Sequence, residues 1–331
     1  MCTSITLQSK ENETFFGRTM DFSYDIEPQL YVIPKNYVWQ SVFNGQRFHD
    51  VYSFIAIGQE DDRMMGFFDG VNEKGFAAAS LYFAGYAQYE TRQYKEKQPV
   101  AALDFLHYML GQCASVNDLE ELLPQISLMG VPDPVTQTVA PLHWIATDRS
   151  GKCVVIERTE QGTRMYHNPL GVMANSPEFS WHMTNLRNYA LVNPGQAIQN
   201  QWGNLTLKPF GQGAGTSLLP GGYTSPERFV RTAYFKTHMP TPATRDEAVQ
   251  SCFHIMSSVS IPKGAVVSSR NTYDYTRYTA FLNTNTCEYY FKTYENSQMA
   301  TASLWDHYES GTQPIRLGRL DRPVVFEPFG K

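Results

Sequence analysis

Strand-like segments in this chain come in two batches, and each batch is followed by helix-like segments. That order restricts the fold more than any single motif does. Residues 1–95 read as strands and turns: "TSITLQS", "TFFGRTM", "LYVIPKNYVW", "YSFIAIGQ", then "FFDGVNEKGFAAASLYFAG" as two strands around the turn "NEKG". Residues 99–126 change to helical spacing, interrupted at Gly111 and Ser115, with Ser115 or Asn117 as the second N-cap. Strands return at 141–176 in "LHWIATD", "CVVIERT", "TRMYHNP" and "GVMANSP". Helical spacing follows in "PEFSWHMTNLRNYAL", in "SPERFVRTAYFKTHM" (Ser225 as N-cap, Pro226 at N1) and in "TRDEAVQSCFHIMSSV" (Thr244 as cap). "YTAFLNTNTCEYYFKTYEN" reads as a late hairpin. Such batches fit an α+β fold in which two stacked sheets carry helices on their outer faces, rather than a βαβ array. A Gly/Asn/Gln/Pro-rich stretch at about 192–224 is too long for an ordinary connector, which marks a functional loop or an assembly arm. The whole chain, 1–331, reads as one domain.

Composition narrows the function classes. The net charge is -5 and no basic run occurs, which argues against a nucleic-acid or polybasic membrane surface. No apolar stretch is long enough to span a membrane, and the N-terminus lacks a secretory pattern, so the expected compartment is the cytoplasm. Five cysteines, at 2, 113, 153, 252 and 287, include no CxxC pair and make no disulfide framework. Four of them sit in apolar periodic segments and read as core. Cys2 does not. The eight histidines lack metal-ligand spacing, "GQGAGTS" lacks the lysine of a phosphate loop, and no GxSxG elbow occurs, so neither metal nor cofactor is expected.

The opening "MCTSITLQSKENETFFGRTMDF" turns near residue 11, so facing residues sum to about 22. Cys2 then faces Met20, Ser4 faces Arg18, and Asp21 lies opposite Met1. Cys2, Ser4 and Arg18 share one face, with Arg18 one diagonal step, about 7–8 Å, from Cys2. Removal of Met1 would leave Cys2 with a thiol and a free α-amine on the same residue. The amine's ordinary pKa of about 7.7–8.0 suits a general base. Arg18 would favour the thiolate, and the Asp21 carboxylate would hold the amine. Met20, Phe22, Tyr24, Met64 and Met65 are candidates for an adaptable apolar pocket, or for plain core packing.

These residues resemble the start of the choloylglycine hydrolase family, the linear amide hydrolases that include penicillin V acylases and bile salt hydrolases. The likeness recurs in "DGVNEKGFAAASLYF", "NPLGVMANSPEFSWHMTNLRNY" and "LLPGGYTSPERFVRTAY". The resemblance implies a four-layer αββα Ntn-hydrolase sandwich and a homotetramer joined through the 192–224 arm. It implies Cys2 as nucleophile and its amine as base, flanked by Arg18 and Asp21. Asn175 would supply one oxyanion donor, Tyr82 the second through its backbone or side chain, and Arg228 would support the charges. The substrate would be a small-molecule amide with an apolar acyl group. Many bile salt hydrolases carry Asn at the Tyr82 position, while penicillin V acylases tend to carry Tyr. The expectation is therefore a phenoxyacetyl amide such as penicillin V, with conjugated bile salts and N-acyl homoserine lactones as alternatives, and a silent ligand-binding homologue as the alternative from another class. The family often has Asp after Leu-Pro-Gly, where this chain has Gly222.

Overall fold

A computed structural model describes residues 1–61, 64–133, 135–196, 199–308, 311–326 and 328–330. Strands β1 (Cys2–Gln8) and β2 (Thr14–Phe22) form the expected hairpin, with Cys2 facing Met20, Ser4 facing Arg18 and Gln8 facing Thr14. Asn12 closes its turn with φ 60°, the left-handed region that asparagine tolerates. The hairpin lies inside a six-stranded sheet ordered Val172–Met173, β1, β2, Tyr275–Asn283, Glu288–Thr293 and Ala300–Ser303. A second, eight-stranded sheet runs Gly162–His167, Cys153–Thr159, Leu142–Thr147, Ala77–Tyr82, Met65–Asn72, Phe54–Glu60, Gln29–Ile33 and Ile315–Arg319. Neighbouring strands in both sheets pair antiparallel.

Side-chain alternation sorts the second sheet into two cores. Ile55, Ile57, Ala77, Ala79, Leu81 and Ile145 face the first sheet and join its apolar cluster. Phe54, Ala56, Ala78, Trp144 and Ala146 face the other way, into a cluster with helices α1 (Phe105–Gln112) and α2 (Val116–Leu122). A short helix α3 spans Phe179–Asn185. Helices α4 (Ser225–His238) and α5 (Arg245–Ser257) pack on the outer face of the six-stranded sheet, over β1 and β2. The result is the four-layer αββα Ntn-hydrolase sandwich, and it explains why β1 and β2 are buried on both faces rather than one. Among the described residues, no helix is long and apolar enough to cross a membrane.

Several local expectations hold and two shift. Ser115 caps α2, accepting from the Asp118 amide at 3.2 Å, and Thr244 caps α5, accepting from Glu247 at 3.3 Å. Residues 99–101, read as helix, belong to a strand, Gln98–Ala101, parallel to Ile126–Met129 in a separate two-stranded sheet; this pairing outcompetes local helix propensity. The cap of α4 is Thr224, one residue before Ser225. Glu227 accepts from the Thr224 hydroxyl at 2.6 Å and its amide at 3.3 Å. Ser225 is unavailable as a cap because its hydroxyl accepts the Asn175 amide at 2.8 Å. The 192–224 stretch carries a small hairpin, Asn200–Trp202 with Leu205–Leu207, and exposes Trp202, Leu205 and Phe210.

Gly17 sits in the middle of β2, between Ile5 and Phe281 on the neighbouring strands. A Cβ there would collide with the Ala280 carbonyl and the Phe281 ring. Gly17→Ala is expected to destabilise the fold by about 2–3 kcal/mol, because backbone in a central strand cannot move aside. Urea unfolding monitored by tryptophan fluorescence checks this; an unchanged midpoint would contradict it.

Candidate active site

Cys2 is the first residue of β1 and only 3% exposed, so its thiol lies inside the sandwich. The diagonal neighbour identified from the register reaches it. Arg18 Nη2 donates to Cys2 Sγ at 2.6 Å and lies 3.1 Å from Met20 Sδ. The guanidinium is 1% exposed and bonded all round. Nη1 donates to the carbonyls of Ser80 at 2.8 Å and Phe68 at 3.1 Å, both on the second sheet, and Nε donates to Thr19 O at 3.2 Å. Burial works against the Arg18 charge, but Cys2, Tyr278, Asp69 and Asp21 outweigh it and raise its pKa.

The Cys2 backbone is held from the other side. Its N–H donates to Asn175 Oδ1 at 2.7 Å, and Arg228 Nη2 donates to the same oxygen at 2.7 Å. A guanidinium only donates, so this contact fixes which way the Asn175 amide points. Asn175 Nδ2 then faces the Tyr82 carbonyl at 2.7 Å. Arg228 Nη1 donates to Cys2 O and Thr3 Oγ1, each at 2.5 Å, and lies 3.8 Å from Asp21 Oδ2. Asp21 is fully buried and accepts from Thr276 at 2.5 Å and Thr19 at 3.1 Å. Burial raises its carboxyl pKa, while Arg228 and the N-terminal ammonium pull it down. Met1 extends the ladder by one step: its carbonyl accepts from the Asp21 amide at 3.0 Å, and its ammonium lies 3.4 Å from Asp274.

Tyr82 ends the Ala77–Tyr82 strand where the sheet opens. Phe83 N–H donates to Pro141 O at 2.7 Å, so the alternation turns the Tyr82 amide to the opposite edge. On that edge the Met65–Asn72 strand pairs only with Ala77–Ala79. Arg18 fills part of the gap by taking Phe68 O and Ser80 O; the Tyr82 amide faces the remainder. An apolar cavity opens here, with Cys2, Arg18 and Tyr82 in its wall. Met20, Phe22 and Met64 line it as expected. Tyr24 and Met65 do not. Tyr24 lies under the Arg270 guanidinium at 3.4 Å, and Met65 packs on the α1 side of its sheet. Ile26, Phe67, Phe68, Leu81 and Leu142 are also part of the apolar wall. Ile26 lies in a loop, Phe67 and Phe68 share the Met65–Asn72 strand, and Leu81 and Leu142 lie on two further strands; nothing in their local sequence marks them.

The family model of the linear amide C–N hydrolases, choloylglycine hydrolase family, matches residues 2–315. The chain belongs to that family. A bile salt hydrolase/transferase of Clostridium perfringens is 31% identical over 299 residues, 90% of this chain and 91% of its own. The crystal structure of a conjugated bile acid hydrolase variant from the same organism superposes with a TM-score of 0.92 at 27% identity, covering 100% of both chains. A penicillin V acylase of Pectobacterium atrosepticum is more distant, at 25% identity over 297 residues, 84% of this chain and 73% of its own. The hydrolase is thus an amide C–N hydrolase whose similarities favour the bile salt enzymes over the acylase expected from Tyr82. One residue in a cavity wall carries less information than the chain as a whole.

Sequence reasoning missed the groups that hold Asn175 in place. His143 Nε2 donates to Ala174 O at 3.0 Å and His182 Nε2 to Asn175 O at 2.8 Å, each tautomer assigned from its carbonyl partner. Both histidines are isolated in the sequence and carry no spacing signal. Gly222 lies against the Glu227 side chain. Its amide donates to Glu227 Oε1 at 3.2 Å, and a side chain on residue 222 would begin where the Glu227 carboxylate sits.

His182 gives the site a pH dependence. Burial, with His143 and Arg228, lowers its pKa from 6.5 to about 4. Between those values the unfolded chain binds a proton that the fold refuses. Its contribution is therefore complete above pH 6.5 and is lost as pH falls towards 4, up to about 3 kcal/mol. His182→Gln keeps a donor for Asn175 but does not titrate. Its urea midpoint should decline less steeply than the wild type's between neutral and mildly acidic pH; parallel declines would refute the assignment.

Proposed function

We propose that this hydrolase, after removal of Met1, uses the Cys2 thiolate to cleave the amide of a conjugated bile salt. Arg18 supports the thiolate, and the freed α-amine of Cys2 serves as general base and acid. Asp21 and the Asn175 side-chain oxygen orient that amine. The thiolate attacks the amide carbonyl. The oxyanion is met by the second hydrogen of Asn175 Nδ2 and by the Tyr82 backbone amide. The amine protonates the leaving nitrogen, an acyl thioester remains, and water activated by the same amine releases the acid. Arg228 positions Asn175 and the Cys2 carbonyl. The sequence of steps calls on no metal or cofactor.

The observation that carries this reading is the 2.6 Å contact of Arg18 with Cys2 Sγ at the wall of an apolar cavity. The substrate class rests on the similarity to bile salt hydrolases. Phenoxyacetyl amides and N-acyl homoserine lactones share the apolar acyl group and rank below it. We further propose a single domain over residues 1–331, a cytoplasmic enzyme, and a homotetramer in which the exposed Trp202, Leu205 and Phe210 of the arm meet a second copy.

Hydrolysis of glycodeoxycholate and penicillin V, measured side by side on protein of known N-terminal mass, tests the proposal. Glycodeoxycholate is expected to be cleaved faster, and Cys2→Ala to lower the rate about 10³-fold or more. Faster cleavage of penicillin V would overturn the substrate class alone. Protein lacking Met1 that cleaves neither amide, yet binds ligand equally well with and without the Cys2 thiol, would instead support the silent-binder reading.

A further inference from the structure

The arm of Arg18 that does not touch Cys2 approaches a carboxylate that the reaction leaves unused. Asp69, on the Met65–Asn72 strand, is 1% exposed. Its Oδ2 lies 4.0 Å from Arg18 Nη1, beyond hydrogen-bond contact. Two phenols from the opposite sheet occupy it instead. Tyr278 donates to Oδ2 at 2.6 Å and Tyr289 to Oδ1 at 2.7 Å. Both tyrosines are completely buried. Burial and the Asp69 charge push both phenols well above their ordinary pKa, so they remain donors.

A buried guanidinium normally closes on a buried carboxylate with two parallel hydrogen bonds. Here Nη1 spends its donors on the Phe68 and Ser80 carbonyls, and Nη2 stays on Cys2 Sγ. We propose that Asp69 is a positioning residue which Tyr278 and Tyr289 hold off Arg18, and that this restrained carboxylate sets the thiol–thiolate balance of Cys2. The proposal rests on Cys2 being the nucleophile. Other charges and titratable groups around the thiol are Asp21 on β2, Tyr82 across the cavity, Arg228 on α4 and the α-amine of Cys2, with Glu60, Asp61 and Asp133 elsewhere in the cavity wall.

The arrangement yields opposite effects from neighbouring substitutions. Asp69→Asn removes a negative charge that competes with the thiolate for Arg18, so the thiolate forms at lower pH. Tyr278→Phe frees Oδ2 to close on Nη1 in place of the longer bond to Phe68 O, which draws the Arg18 charge away from sulfur, so the thiolate forms at higher pH. A purely structural role moves neither titration in this paired way.

The test is the pH dependence of Cys2 alkylation by iodoacetamide in the mature protein, read on the mass of the N-terminal peptide. Relative to wild type, the midpoint is expected to fall by about one unit in Asp69→Asn and to rise in Tyr278→Phe, with the double variant following Asp69→Asn. Shifts of the same sign, or no shift in folded variants, overturn the proposal. Should Asp69→Asn fail to fold, Tyr278→Phe and Tyr289→Phe keep the carboxylate and carry the test by their rise; unchanged midpoints in both overturn it. Alkylation needs no substrate, so normal midpoint shifts without bile salt cleavage would sink the substrate reading and leave this one standing.

Discussion

Arg18 is a full positive charge placed between two β-sheets, and the site is organised around the need to satisfy it. A lone buried cation would cost several kcal/mol or more. The structure compensates with two carbonyls from the second sheet, one from its own strand, and the sulfur of Cys2. The same bonds do structural and chemical work. They span the gap where the Met65–Asn72 and Ala77–Tyr82 strands separate, and they bring a cation to the one thiol placed at the cavity wall. Opening the second sheet at this point leaves backbone groups unpaired; Arg18 takes the carbonyls, and the Tyr82 amide is left facing the cavity.

The second buried cation, Arg228, works in the same manner from the other side. Its fork touches Cys2 O, Thr3 and Asn175, with the Asp21 carboxylate 3.8 Å away. Two arginines and two aspartates thus surround one cysteine within a buried interior. At such positions each charge is worth far more than at a surface, and small changes in who touches whom alter the chemistry. The remaining cysteines lie outside the cavity wall; Cys287 has one arginine near it, Arg149 Nη2 at 4.0 Å, and burial still raises its thiol pKa. Burial pushes Cys113 and Cys153 up to about 12, which keeps them protonated and inert.

The legible part of the fold was the local part. The β1–β2 register follows from one turn and a period of two, and the structure reproduces it residue for residue. Ser115 and Thr244 announced their helices because a cap is a contact between near neighbours. The misreadings have the opposite character. Residues 99–101 joined a strand because of a distant partner at 126–129, and Ser225 lost its cap role to Asn175, fifty residues earlier in the chain. Of the five pocket candidates, Tyr24 and Met65 face other neighbours, Met65 in the core packing that was its alternative.

By itself, then, the sequence determined that Cys2 and Arg18 would share a face, and that two batches of strands would stack with helices outside. Both statements depend on periodicity and short-range pairing, which a linear chain carries openly. Only the tertiary structure decided that Asn175, Tyr82 and Arg228 converge on Cys2, which side chains wall the cavity, and that Asp69 is kept 4.0 Å from Arg18 by two tyrosines of the facing sheet. Periodicity says which way a side chain points; how the two sheets slide over one another decides what it meets there, and that offset is set by the packing of both cores at once.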